Sequence, residues 1–237
     1  MFSNILTISF CDKSFELSLT SIWSDQKKLT LKPSSVLEID SFSAYIRSTS
    51  ENNHEQIIRK CFTDASRNLV SEIKNLLEIC PKFFDSFLPQ SFCSIYGKKH
   101  LSVEDISIIS FLRGPGSFTS CRIACAIALG LKAGAPNIAL LPILVNEAIH
   151  ELLPGVKILM RCNSTFCHLY HEKTWRLVKE SELLENPPEN AVSAHPISIP
   201  TEEWPDLTEA LRRKAIKQLN SLETLDQKVE PFYGFEL

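Results

Sequence analysis

The residues of this chain that could bind a ligand most readily form a glycine-rich loop near its middle. Gly114, Pro115 and Gly116 follow a predicted strand and precede a predicted helix, and the free backbone N–H groups of such a loop can bind an anion. The loop is not a P-loop, because no lysine follows its second glycine and Ser117 and Phe118 stand where GK[ST] would be expected. We therefore favour a structural turn over an anion site.

Other residues with metal-binding or nucleophilic chemistry do not form a convincing site. His168 and His171 have HxxH spacing, but in a strand they would point to opposite faces. The eight cysteines include no CxxC pair. Cys121 and Cys125 lie one helical turn apart with no second pair nearby, which favours reduced core thiols. Ser117 is not in a G-x-S-x-G elbow, so we predict no catalytic residue and no metal site.

The elements around the loop are a buried strand and a long helix. Residues 106–112 are almost continuously apolar and β-branched, which indicates a strand buried on both faces. Residues 117–133 lack strand alternation and are followed by the stop signals Gly134 and Pro136. This helix is apolar nearly all round, so it must be covered on more than one side. One cover is the chain's own sheet, and the other could be a partner that approaches a strip of small residues at Ser120, Ala124 and Ala128.

The segment RGPGSFTSCRIACAIALGLKAGA resembles the signature of the TsaB (YeaZ) family, in which a strand leads to a GPGSFTG loop and an alanine-rich helix. The matching signature loop consists of Arg113, Gly114, Pro115, Gly116, Ser117, Phe118 and Thr119. The resemblance implies an α/β protein with the actin-like ATPase (RNase H-like, ASKHA) fold, which has two lobes, each with a mixed β-sheet flanked by helices. It also implies a role in forming threonylcarbamoyladenosine (t6A) beside the anticodon of tRNA.

We predict that the N-terminal lobe covers residues 1–112 and begins with a β-meander. Its elements are expected to be strands at 4–10 and 14–20, a third strand between 28 and 38, a long helix at 54–80 and an insertion near 81–101. The C-terminal lobe at 113–237 should hold the glycine loop and its helix, a short helix at 145–153, strands at 156–161, 165–170 and 174–179, and a last helix at 206–222. That last helix could return to the N-terminal lobe.

The resemblance implies a partner, because TsaB-like proteins pair with a TsaD-like catalytic relative through a helical bundle. The helices at 54–80 and 117–133 would supply this chain's share of the interface. The expected partner-binding residues are Ile58, Phe62, Ala65, Leu69, Ser120, Ala124, Ile127, Ala128 and Leu131. A TsaE-like ATPase is a second candidate partner, and the same helices could form a homodimer when the chain is alone.

Two departures from the family pattern bear on chemistry. Ser9 stands where the first strand of the family ends in an aspartate, and a serine lacks the charge that helps to place a hydrated magnesium ion. Arg161 begins the segment that replaces the family's DAR sequence. We therefore expect a non-catalytic subunit that binds no cofactor alone, with ATP and a divalent metal on the partner. The alternatives are a stand-alone actin-like ATPase, a peptidase-like enzyme or a degenerate family member.

Composition limits the remaining possibilities. With 44% hydrophobic and 22% charged residues, the chain has the composition of a folded soluble protein. Its net charge of −3 argues against nonspecific nucleic-acid binding by the whole chain, so tRNA contact is expected to be indirect or weak. Four basic residues of the last helix could touch phosphate, although a solvated face is the simpler interpretation: Arg212, Arg213, Lys214 and Lys217. We expect a cytoplasmic protein, because we find neither a signal peptide nor an apolar run of roughly 18 residues.

Overall fold

The computed structural model describes residues 2–11, 14–24, 37–39, 42–50, 53–63, 65–87, 101–161, 165–193, 201–221 and 229–233. These residues form two β-sheets with helices packed against them. The first sheet has seven strands in the order β3-β4-β5-β2-β1-β6-β7. Their bounds are Phe2–Cys11 (β1), Ser14–Ser24 (β2), Leu37–Ile39 (β3), Phe42–Ser50 (β4), Asn53–Thr63 (β5), Ile106–Gly114 (β6) and Ala139–Leu144 (β7).

The first sheet is mixed. Strands β1 to β5 pair antiparallel, whereas β6 pairs parallel with both β1 and β7. Strand β6 lies inside the sheet, which explains its continuous apolar sequence: Ile109, Phe111 and Leu112 are fully buried. The prediction of a buried strand directly before the glycine loop is confirmed.

Helices cover both faces of this sheet. Helix α1 (Ala65–Phe87) and helix α2 (Phe118–Gly134) pack on one face, where Ser21 of β2 lies 3.9 Å from the thiol of Cys80. The last helix, α5 (Leu207–Ser221), packs against β1, β6 and helix α3 (Val145–Leu152) on the other face. Ser110 of β6 donates a hydrogen bond to the carbonyl of Leu211 there. Strand β7 follows residue 112, the predicted end of the N-terminal lobe, but it belongs to the same sheet as the N-terminal strands.

The second sheet is smaller and also mixed, with the order β10-β9-β8-β11. It contains β8 (Lys157–Arg161), β9 (Phe166–His171), β10 (Thr174–Lys179) and β11 (Ala191–Ser193), and β11 runs parallel to β8. Leu183 of helix α4 (Glu180–Glu185) packs into the small core of this sheet. The predicted three-stranded hairpin unit is confirmed, while its turn at 163–164 lies outside the described residues.

One predicted element is wrong in its first part. Residues 54–63, expected to begin a long helix, belong to strand β5, which pairs with β2 and β4 along most of its length. Ile58 and Phe62 are therefore strand residues. The helix begins at Ala65 and passes through Pro81 to Phe87, so the predicted stop at that proline is also wrong. The rest of the predicted insertion, residues 88–100, lies outside the described residues, as do residues 28–36 of the predicted third strand.

Candidate partner-binding surface

The signature loop forms a tight connection between β6 and α2. Ser117 caps α2: its side chain accepts a hydrogen bond from the amide of Ser120 at 3.5 Å, and its carbonyl accepts one from the amide of Cys121 at 3.0 Å. Gly114 has a φ of +122°, a conformation that L side chains rarely adopt. The loop therefore acts as the predicted structural turn, since its serine is used to start the helix.

A segment far along the chain closes over this loop, and we call residues 229–233 the strap. The amide of Phe232 donates a 2.7 Å hydrogen bond to the carbonyl of Arg113. A Cβ atom placed on Gly114 would lie 1.9 Å from the carbonyl oxygen of Phe232. Position 114 therefore requires glycine for a second reason besides its positive φ, because the backbone of the strap occupies the space that a side chain would need.

The strap also contacts the first turns of α2 through an aromatic cluster. Tyr233 stacks on Phe118 with 4.8 Å between ring centroids, and the guanidinium of Arg122 lies 4.1 Å from the centre of the Phe118 ring. Arg122 also donates a 3.2 Å hydrogen bond to the hydroxyl of Tyr233. Phe118 is nevertheless 52% exposed, so the cluster forms an outward-facing rim of the molecule.

The small-residue strip predicted to bind a partner faces the chain's own core. Ser120, Ala124 and Ala128 are buried within the part of the chain that the structure describes, and Ile58 and Leu69 are buried as well. Ile127 and Leu131 are partly buried against the same core. The side chains of Phe62 and Ala65 lie outside the described part. The buried positions do not offer a surface to a partner, because the sheet and α1 already cover them.

The opposite side of α2 is exposed along its whole length, and we call it the α2 outer face. Its seven residues recur at helical spacing: Phe118, Thr119, Arg122, Ala126, Leu129, Gly130 and Ala133. Arg122 carries the only charge among them. Leu129 is 46% exposed, and Gly130 has no atom within 4 Å of where its Cβ would lie. This surface is mostly apolar and roughly 25 Å long. The sequence shows this face as a second row of small residues, Ala126, Gly130 and Ala133, which lies beside the row that we predicted to bind a partner.

The position where the family pattern places an acid is closed. The hydroxyl of Ser9 lies 2.7 Å from that of Thr208 in α5, and both residues are almost completely buried. Nothing in this contact supplies a carboxylate for a hydrated magnesium ion. Across the described residues, no group of three or more His, Cys, Asp or Glu side chains is arranged to hold a metal ion.

Helix α2 contains two buried thiols, those of Cys121 and Cys125. Burial raises the pKa of Cys121 to about 12 and that of Cys125 to about 11, so both are protonated at neutral pH and poor nucleophiles.

On α5, Arg212 is buried and paired with Glu55 and Glu209. Arg213 also pairs with Glu209, and Lys217 pairs with Glu151. The expectation of four basic residues on solvated faces is wrong for Arg212.

None of the helices in the described ranges contains an apolar stretch that would span a bilayer.

Comparison with known proteins gives a local sequence match and a match of the whole fold. No protein-family model matches the chain. A stretch of 60 residues is 37% identical to the tRNA threonylcarbamoyladenosine biosynthesis protein TsaB of Buchnera aphidicola subsp. Baizongia pistaciae; it covers 25% of this chain and 27% of that protein. The chain thus spans about a quarter of the length of the curated relative that it matches.

Two solved structures from Pseudomonas aeruginosa share the fold across almost the entire chain. One is an uncharacterized protein with similarity to peptidase YEAZ, with a TM-score of 0.54 and 12% identity over 98% of this chain and 100% of that chain. The other is YeaZ, with a TM-score of 0.53 and 12% identity over 98% and 99%. These matches confirm the predicted actin-like α/β fold with two mixed sheets flanked by helices. The chain is thus similar to TsaB over that 60-residue stretch and to YeaZ in its fold.

Proposed function

We propose that this chain is a non-catalytic partner of a TsaD-like transferase and supports formation of t6A in tRNA. The α2 outer face carries the proposal, because an exposed apolar surface of this length on a helix is typical of protein–protein interfaces. The name of the Buchnera relative supplies the pathway. In this proposal the partner holds ATP and the divalent metal, and the complex acts in the cytoplasm.

The absence of an acid at Ser9 favours a binding role over a catalytic one. An actin-like ATPase needs charge to hold metal and phosphate, whereas here a buried hydroxyl pair fills that position. A binding role can still activate the transferase. If the partner's active conformation packs better on the α2 outer face, binding shifts the partner's population toward that conformation.

The experiment is a binding titration with the TsaD-like protein of the same organism, followed by light scattering of the mixture. We expect a heterodimer with the wild-type chain. Ala126→Trp adds a bulky side chain in the middle of the α2 outer face and should weaken binding at least tenfold. Ser181→Trp makes the same kind of change at an exposed position of α4 and should bind like wild type.

A folding control and an activity assay accompany the binding titration. Circular dichroism and thermal melting should be alike for both tryptophan variants, because both positions are exposed. A reconstituted t6A assay with tRNA should need this chain and should lose rate with Ala126→Trp. Absence of a complex with the wild-type chain, or ATP hydrolysis by the chain alone, would overturn the proposal.

A further inference from the structure

We infer that the strap is a built-in part of the proposed partner surface: it locks the signature loop and orders Phe118 and Arg122 at the amino-terminal end of the α2 outer face. The inference rests on the proposed function for its binding consequence. Its structural part concerns the isolated chain and can be tested without a partner.

The backbone contacts show that the strap and the loop fit each other specifically. The Phe232 amide bonds to the Arg113 carbonyl, and the Phe232 carbonyl occupies the place of a side chain at Gly114. The thiol of Cys121 lies 3.3 Å from the same Cβ position. A residue with a side chain at position 114 would have to displace the strap, because its Cβ would overlap the backbone carbonyl of Phe232, which cannot rotate away as a side chain can.

The side-chain contacts indicate what the strap does for the surface. Phe118 and Arg122 are both exposed residues of α2 and would sample several rotamers alone. Tyr233 fixes one arrangement by stacking on the first and accepting a hydrogen bond from the second. A surface ordered in advance loses less conformational entropy when a partner binds.

The position of the strap argues against a cover that blocks the surface. Leu129 lies eleven residues after Phe118, which is roughly 16 Å along the helix axis, and it stays 46% exposed with the strap in place. Ala126 and Gly130 are likewise exposed. The strap thus contacts one end of the α2 outer face and leaves the remainder open, so we expect it to aid binding and not to compete with it.

The first test measures hydrogen exchange of the Phe232 amide in the isolated chain by NMR. We expect Gly114→Ala to accelerate this exchange at least tenfold, because the added Cβ displaces the strap. Gly155→Ala is the matched control: Gly155 also has a positive φ, +79°, but nothing lies within 4 Å of its Cβ position. Equal exchange in the two variants would overturn the inference.

The second test measures partner affinity for variants of Tyr233. We expect Tyr233→Ala to weaken binding about tenfold, since two side chains become disordered, while the melting temperature stays near that of wild type. Tyr233→Phe keeps the ring stack and should restore most of the affinity. Tighter binding by Tyr233→Ala would show that the strap competes with the partner and would overturn its ordering role. If the wild-type chain binds no partner, the proposed function fails, and the exchange experiment alone decides whether the strap holds the loop.

Discussion

At the scale of single residues, Arg212 is a charged side chain buried in the described structure. It is 4% exposed and bonds to Glu55, which is also 4% exposed, and its other nitrogens bond to both oxygens of Glu209 at 2.8 and 2.7 Å. A buried arginine is tolerated only when such partners balance the loss of hydration. This group therefore ties α5 to strand β5 across the face of the sheet.

Removing that arginine should be far more costly than removing its neighbour. Arg212→Ala takes the positive charge from the buried Glu55 and should lower the free energy of unfolding by about 3–5 kcal/mol. Arg213→Ala removes an exposed partner of the same Glu209 and should cost at most about 1 kcal/mol. Urea denaturation of both variants measures the difference. Equal losses would mean that the burial of Arg212 has no energetic consequence.

The closed position at Ser9 gives a prediction with a distinct pH dependence. In Ser9→Asp, burial should raise the pKa of the new carboxyl above its unfolded value of about 3.9. A raised pKa means that stability is present at low pH and is lost as pH rises through the unfolded and then the folded value. We therefore expect the variant to be destabilised progressively as the pH rises above about 4.

The neutral variant Ser9→Asn separates charge from size in this experiment. Its urea midpoint should be lowered by a similar amount at every pH, because no proton is taken up or released. A gap between the two variants that stays constant from pH 4 to pH 8 would contradict the prediction. No gain of ATP hydrolysis is expected from Ser9→Asp, since the hydroxyl of Thr208 still closes the position.

Single residues also show where sequence reasoning succeeds and where it fails. The glycine loop and its helix cap were predictable because glycine, proline and serine impose local backbone preferences. The choice between Ala124 and Ala126 was not predictable, because α2 is apolar nearly all round and its sequence does not say which row of small residues meets the sheet. The contact between Gly114 and Phe232 joins residues more than a hundred positions apart, so no local pattern could reveal it.

At the scale of elements, strand β5 shows how a central strand can imitate a helix. Ile57 and Ile58 are adjacent in sequence and both buried, because β5 is covered on both faces. Two neighbouring apolar residues followed by apolar Cys61 and Phe62 also fit helical spacing. The pairing with β2 and β4 makes this segment a strand, and the pairing with β2 joins residues far apart in the sequence. The prediction therefore joined a strand and a helix that are separate elements.

An ion pair between Asp206 and Arg59 joins the start of α5 to strand β5, so this contact is sensitive to acid. Asp206 accepts two hydrogen bonds from Arg59 of β5 at 2.7 and 2.6 Å and one from the amide of Glu209. Burial raises the pKa of Asp206, but the bonds and charge of Arg59 outweigh this effect, so its pKa is lowered overall. Stability from this carboxyl is therefore present above about pH 3.9, the unfolded value, and is lost as pH falls through the lower folded value.

Asp206→Asn should test this link between α5 and the sheet. Asparagine caps helices as well as aspartate does, so the substitution removes mainly the charge. We expect the variant to be less stable than wild type at pH 7 and the difference to shrink near pH 3, as measured by urea denaturation. Glu203→Gln removes the same charge at an exposed position and should change little. A difference as large at pH 3 as at pH 7 would mean that the charge is not responsible.

At the scale of the whole molecule, the three-layer arrangement decides which surface of α2 is available. The first sheet buries the inner row of α2, while α5 and α3 cover the opposite face of that sheet. The α2 outer face is left to solvent in the isolated chain, with the strap at one end. Exposing such an apolar helix face has a free-energy cost in water, and association of any kind would reduce it.

This cost predicts that the chain associates with itself when no partner is present. Light scattering should show a mass that rises with concentration from 26.8 kDa toward twice that value. Leu129→Glu places a charge on the α2 outer face and should keep the chain monomeric, because two symmetry-related carboxylates would meet at the interface. Ser181→Glu, on exposed α4, should dimerise like wild type. A dimer that persists in Leu129→Glu would place self-association elsewhere, and a wild-type monomer at every concentration would show that the exposed face is stable in water without a cover.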